Sequence, residues 1–211
     1  MSQPADQTPR RGEARDRLLK AARDVIRAQG FAATTVDDLC KAAGVTKGAF
    51  FHHFASKEAL GVAAAAYWAE TTSAFFAAAP YHDHADPLDR VLGYIAFRRT
   101  IIDGELAAFT CLVGTMAQEV YASHPAIRDA CAASIFAHAA TIEPDIAAAM
   151  AAHGLAADWT AASLAVHTQA VLQGAFILAK ATGDAQVARD SVDHLARYVR
   201  LLFGRQEGST P

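Results

Sequence analysis

Cysteine is scarce in this chain, with Cys40, Cys111 and Cys131 the three among 211 residues. Their odd number and wide spacing argue against a disulfide framework and against the paired spacing of a zinc site, so reduced thiols are expected. Strict apolar–polar alternation is missing, which argues against a sheet. The longest apolar stretches, such as residues 61–69, fall short of the ~20 residues that span a bilayer. The opening MSQPADQTPRR has no apolar core of the kind a signal peptide carries. A soluble cytoplasmic protein with no membrane partner is the expectation. Catalytic signatures are also lacking: no nucleophile elbow, no phosphate-cradling glycine loop, no HExxH and no carboxylate pair at acid–base spacing. The nine histidines are scattered. His82, Asp83 and His84 are adjacent on a loop, a spacing that rarely converges on one ion. No enzyme activity, metal or cofactor is expected.

What is abundant is alanine, within a hydrophobic share of 53%, and this composition favours helix throughout. The net charge of −3 is unevenly spread. Through Lys57 there are ten Lys/Arg against six Asp/Glu, and beyond it nine against sixteen. A basic end on an acidic body suits a protein that presents that end to a polyanion.

The stretch TTVDDLCKAAGVTKGAFFHHFASKEAL, residues 34–60, is the most informative segment. Thr34 or Thr35 can cap a short helix whose buried stripe is Val36, Leu39, Cys40 and Ala43. Gly44 supplies the left-handed residue that ends it, and Val45 fills the angle before Thr46 caps a second helix. Phe50 and Phe54, four apart, point to the core. Thr46, Lys47, Gly48, Phe51 and His52 remain outward, and Gly48 permits a close backbone approach. Ser56 caps the next helix. Lys57 in its first turn suits a phosphate neighbour, since helix N-termini bind anions. Two short helices at a tight turn form a helix-turn-helix, which lays its second helix in the major groove. The expected DNA-facing residues are Thr34, Thr35, Thr46, Lys47, Gly48, Phe51, His52 and Lys57.

These residues carry a resemblance. The segment from about Glu13 to Trp68, above all GVTKGAFFHHFASKEAL, resembles the DNA-binding domain of the tetracycline-repressor-like (TetR) family of bacterial transcriptional regulators. The family usually has Tyr where this chain has Phe51, and its hydroxyl commonly meets a phosphate. The change implies the loss of one hydrogen bond per half-site, about 1 kcal/mol.

The remaining pattern reads as an all-α body. A first helix covers about Glu13–Ala28, with Arg17, Lys20, Arg23 and Arg27 on its polar face. Arg10 and Arg11 precede it in a polar arm. A long helix from Ser56 to about Ala79 joins reader to body. Further helices are expected at about Asp86–Ile102, Glu105–Ala122 and Pro125–Thr141, with Pro144 breaking the last. Asp158 can cap a nearly all-round apolar helix to Thr182. A final helix, about Asp184–Phe203, carries Ala188, Val192, Leu195, Val199 and Leu202 at four-three spacing, the seam of a helix–helix interface. The expected organisation is an arm (1–12), a three-helix helix-turn-helix DNA-binding domain (13–55), a helical ligand-binding and dimerisation domain (56–203) and a tail (204–211).

The last two helices read as a dimer interface, with Val166, Ala170, Gln173, Ile177, Val192, Leu195, Val199 and Leu202 as its residues. Two recognition helices about 34 Å apart would then face successive major grooves of a palindrome. The resemblance also implies a small-molecule pocket in the body. Its candidate lining is Trp68, Phe75, Tyr94, Phe97, Phe109, Cys111, Met116, Phe136 and His167, with polar groups such as His138 between them. Cys111, in FTCLVGTMAQEV, is similar in setting to cysteines with which some TetR-family members sense electrophiles or oxidants.

The expected function is a homodimeric regulator, a repressor released from a palindromic operator by a small apolar or amphipathic effector. Its partners are then double-stranded DNA, a second copy and an unidentified small molecule. Two alternatives stand beside it. One is a redox- or electrophile-sensing repressor acting through Cys111. The other is a DNA-binding architectural protein with no inducer.

Overall fold

A computed structural model describes residues 11–205. The expected arm and tail fall largely outside the described residues. Of the arm, Arg11 and Gly12 belong to the first helix, α1 (Arg11–Gln29). Among the described residues the chain is helical with no strand. Gly30, at φ +88, ends α1. α2 (Val36–Ala43) and α3 (Lys47–His53) follow.

α4 (Lys57–Ala77) is the long connector. Pro80–Asp83 forms a 3-10 turn, where His82 Nε2 lies 3.0 Å from the Phe76 carbonyl. α5 is Pro87–Thr100. The expected single helix 105–122 is two pieces, α6 (Leu106–Phe109) and α7 (Leu112–Val120). Apolar periodicity continues through the break, so sequence alone conceals it. Thr110 adopts extended backbone, and Cys111 turns its sulfur to the Gly114 N–H at 3.4 Å.

α8 (Pro125–Ala152) corrects a second expectation, because it continues through Pro144 as one 28-residue helix. An internal proline costs about 3 kcal/mol. Ile142 and Ile146 on either side are buried, each stabilising by about 1.5–3 kcal/mol. Asp145 is also tied to Arg90 of α5 at 2.7 Å. Packing therefore outweighs the break. α9 (Ala161–Thr182) is capped by Thr160 in a reciprocal box with Ser163, not by Asp158. By length and composition α9 could cross a membrane, which the expectation for the apolar stretches overlooked. In the fold it packs against α8 and α10 (Ala185–Leu202), with Leu164, Leu172 and Phe176 buried.

Two cores result. One joins α1–α4 to α7 and the start of α8, through Leu18, Phe31, Phe50, Leu60, Met116 and Ile127. The other fills the body between α5, α8, α9 and α10, through Tyr94, Ile142, Leu172, Val192 and Leu195. The division between the cores therefore does not fall at residue 56. α7 packs with the reading end.

Candidate nucleic-acid interface and interior cavity

The reader is assembled from local chemistry. Thr35 caps α2: its Oγ1 accepts from the Asp38 N–H at 3.1 Å, and its own N–H donates to the Asp38 carboxylate at 2.9 Å. These bonds hold the Asp38 carboxyl below its usual range. Gly44 (φ +60) ends α2, and Arg17 of α1 donates to its carbonyl at 3.1 Å. Thr46 caps α3 by accepting from the Ala49 N–H at 3.1 Å. Phe50 and Phe54 are buried with ring centres 5.8 Å apart.

The opposite side of α3 carries Lys47, Gly48, Phe51 and His52, all exposed, with Phe51 56% so. Lys47 meets the Asp37 carboxylate at 2.8 Å, an exposed pair that a phosphate could displace. Among the described residues nothing requires Gly48: a Cβ built there meets only the Thr46 hydroxyl, at an ordinary 3.7 Å.

Two of the expected DNA-facing residues are turned inward. Thr34 is 1% exposed and its hydroxyl donates to the Gly30 carbonyl. Lys57 donates to the carbonyls of Phe31 (2.9 Å) and Thr34 (2.8 Å), with its ammonium 4.5 Å from the Phe31 ring centre. The carbonyls left over at the α1–α2 turn compete for this cation, a demand that residue order does not reveal. The turn's N–H groups have a partner from the body. Glu119 of α7 accepts from Phe31 (2.6 Å) and Ala32 (3.0 Å). Arg27 of α1 adds a second link by donating to the Thr110 carbonyl at 2.7 Å.

Behind these links lies a cavity of about 360 Å³. Trp68, Phe75, Phe109 and Cys111 line it, as expected, with Phe76 and Phe176. Five expected residues do not. Tyr94 and Met116 are in the cores, and Phe97 packs against Phe75, Phe76 and Tyr81. Phe136 is exposed on α8, and His167 stacks on Tyr198 outside. A helical stripe identifies apolar residues but not which of them border a void. Sequence reasoning missed Arg23, Arg27, Arg98, Ser134, Gln169 and Gln173 in the lining. The sequence places Arg23 and Arg27 only on the polar face of α1.

A relay through the buried Tyr94 joins two groups of the polar lining, Gln169 and His138. Gln169 Nε2 donates to the Tyr94 hydroxyl at 3.0 Å, and that oxygen lies 3.0 Å from His138 Nε2. The phenol can therefore give its proton to Nε2, which assigns the imidazole N–H to Nδ1. Burial, helped by Arg98, pushes His138 down to about 4, so the ring is neutral at pH 7. Cys111 also borders a second cavity of about 200 Å³, which reaches Glu119, Gln118 and Lys180. Burial pushes the Cys131 thiol up to about 12 and raises Cys40, so both are unreactive packing groups. Among the described residues no group of His, Cys, Asp and Glu stands together to hold a metal.

The expected dimer face is divided by the fold. Val166, Ala170 and Ile177 of α9 are exposed, and Gln173 borders the cavity. Val192, Leu195 and Val199 are 1–2% exposed in the body's own core, and Leu202 is partly buried against it. The four-three seam therefore closes the monomer, because α5 and α9 already cover it. The apolar groups that α10 leaves outside are Tyr198 and Leu201, the latter 76% exposed.

Comparison with known proteins follows the same two-part plan. Residues 18–64 match the family described as bacterial regulatory proteins, tetR family, and residues 87–195 match the tetracyclin repressor-like C-terminal domain. The chain is similar to the HTH-type transcriptional repressor KstR2 of Rhodococcus jostii, 42% identical over 57 residues, which is 27% of this chain and 28% of that protein. It spans less than a third of the length of the curated relatives it matches. A TetR transcriptional regulator from Chloroflexus aurantiacus superposes with a TM-score of 0.78 at 27% identity, covering 90% of this chain and 95% of that one. CifR, a TetR family regulator solved with 26 bp of double-stranded operator DNA, superposes at 0.73 with 20% identity, covering 93% and 98%. At that identity the likeness is one of fold.

Proposed function

This chain belongs to the tetR family of bacterial regulatory proteins, and from that premise we propose that it is a homodimeric repressor released from a palindromic operator by a small amphipathic effector. Repression is adopted as the commoner mode of the family. One observation carries the reading: the groups that border the cavities also hold the DNA-reading end. Arg27 lines the larger cavity and bonds the α6–α7 break, and Glu119 lines the smaller one and bonds the α1–α2 turn. A ligand that moves α7 would move that turn, and with it the helix-turn-helix. The exposed apolar face of α9, with Tyr198 and Leu201, is the surface that a second copy would cover.

The test is selection of bound fragments from the source genome, followed by a mobility-shift titration on the recovered sequence at physiological salt. A preference of at least ~10³ over random DNA is expected for a specific regulator. Binding without sequence preference overturns the reading.

A second reading is favoured by the surroundings of Cys111. Its sulfur caps α7, borders both cavities and lies in the field of Arg27 and Lys180. No cation stands within one helical turn of it in the sequence; the fold brings these two from α1 and α9. They place positive charge beside a nucleophile that an electrophile entering the cavity would meet. Mass spectrometry after exposure to iodoacetamide separates the readings. Selective labelling of Cys111 with loss of operator binding supports the second, and no labelling there removes it.

A further inference from the structure

The charge in the larger cavity is of one sign. Its wall contains Arg23, Arg27 and Arg98 and no aspartate or glutamate. Two of the three are already partnered. Arg23 chelates Asp24 at 2.7 and 3.0 Å, and Arg27 bonds the Thr110 carbonyl while lying 5.0 Å from the Trp68 ring centre. Arg98 differs. Its guanidinium carbon lies 5.0 Å from the Phe76 ring centre and 5.8 Å from that of Phe176, and no carboxylate pairs with it among the described residues. Its Nε is buried with no hydrogen-bond acceptor. Buried donors are almost always satisfied, so an orphan at a cavity wall is completed by what enters the cavity.

We propose that the effector is an organic monocarboxylate with an aromatic or branched apolar body, its carboxylate paired with Arg98 inside this cavity. This rests on the reading of the cavity as the effector site. The guanidinium fork matches a planar carboxylate, and two stacked rings hold it without consuming its donors. His138 lies against the same Phe76 ring, 4.7 Å between centres, and the relay from Gln169 leaves its Nδ1–H as a further donor. Arg98 is the cation whose buried donor is left over, since Arg23 has a carboxylate and Arg27 spends its Nε on a carbonyl, so one carboxylate answers the open donor. The apolar end has Trp68, Phe75 and Phe109 to lie on, and about 360 Å³ suits a body of small-molecule size.

Calorimetry on the full chain without DNA tests this. The probes are 4-phenylbutyrate, indole-3-propionate and 5-methylhexanoate, each beside the alcohol of the same skeleton. In at least one pair the acid binds about tenfold or more tightly than its alcohol, as a charge-assisted bond requires. Arg98→Gln brings acid and alcohol within about twofold of each other while the alcohol affinity is kept. Arg98→Lys, which keeps charge but loses the fork, restores part of the gap. Should Arg98→Gln fail to fold, the wild-type pairs and Arg98→Lys decide. Alcohols binding as well as their acids, an acid preference that survives Arg98→Gln, or no binding by any of the six probes overturns the proposal. A mobility-shift assay with the best acid follows. An acid that binds through Arg98 yet leaves the operator complex intact upholds the ligand class and removes only the release mechanism.

Discussion

Glu119 and Lys57 grip the same turn from opposite chemical ends. The carboxylate on α7 takes the N–H groups of Phe31 and Ala32, and the ammonium on α4 takes the carbonyls of Phe31 and Thr34. The backbone between α1 and α2 is thus tied to the body and to the connector at once. Gly30 is required there, with φ at +88 and a Cβ that would strike the Glu119 carboxylate. The pair gives the reading end a mechanical address on the helix that borders both cavities.

Glu119→Ala should therefore act on coupling more than on contact with DNA. Two N–H groups lose a charged acceptor, which should cost about 2 kcal/mol in urea unfolding. An effector should still bind the variant but shift operator affinity less than in the wild type, as read by paired calorimetry and mobility-shift titrations. An unchanged shift would remove Glu119 from the coupling between the cavities and the reading end.

Lys57 and Lys47 should separate in salt. Lys57→Met removes two internal bonds, so stability should fall by about 2 kcal/mol while the slope of log affinity against log salt stays constant. Lys47→Ala leaves the fold intact, since its partner Asp37 is exposed, and lowers that slope by roughly 1 per contact. The residue order alone suggests the reverse for Lys57, and a slope change in that variant would restore the phosphate contact.

At Gly48, stability and binding should move in opposite directions. Alanine fits the space inside the chain and should raise helix stability by up to about 1 kcal/mol. The same methyl stands on the exposed side of α3 and should weaken operator binding. Improved or equal binding by Gly48→Ala would mean that α3 does not approach DNA at this point.

Acid sensitivity should trace to His138. Its folded value, about 4, lies below the ordinary 6.5, so between these values the unfolded chain binds the extra proton. Stability is then full above about 6.5 and falls as pH drops towards 4, by about 2 kcal/mol at pH 5. Arg98, and the Tyr94 phenol that burial keeps protonated, are the polar groups around the ring. Urea midpoints at pH 7.5 and pH 5 should diverge in the wild type and much less in His138→Gln. Equal losses in both proteins would assign the acid effect elsewhere.

Self-association should depend on the outside of α9 and α10. Leu201→Asp should shift sedimentation towards monomer without lowering the thermal midpoint at saturating dilution. Leu195→Asp should cost at least ~3 kcal/mol, because it places a charge in the body core. A monomer-favouring effect from neither α9 substitutions such as Ile177→Asp nor Leu201→Asp would move the dimer face to another surface.

The reader was legible in the sequence because its determinants are local. Thr35, Thr46 and Ser56 each cap a helix by accepting from the N–H three residues ahead, Gly44 supplies one backbone conformation, and Phe50 and Phe54 share a face by period alone. Each lies within a few residues of what it controls, so order along the chain is enough. The remainder depends on neighbours far away in sequence. Whether the Val192–Leu195–Val199 stripe closes a monomer or a dimer rests on α5 and α9 having reached it first. Whether Pro144 breaks α8 rests on how much burial surrounds it. Arg98 becomes a charge inside a cavity because Phe76 of α4 and Phe176 of α9 converge on it. Lys57 leaves its expected phosphate role because α4 returns past the α1–α2 turn. Periodicity tells a side chain to be buried, and only three-dimensional packing decides against what, since contact energies depend on distance in space and not along the chain.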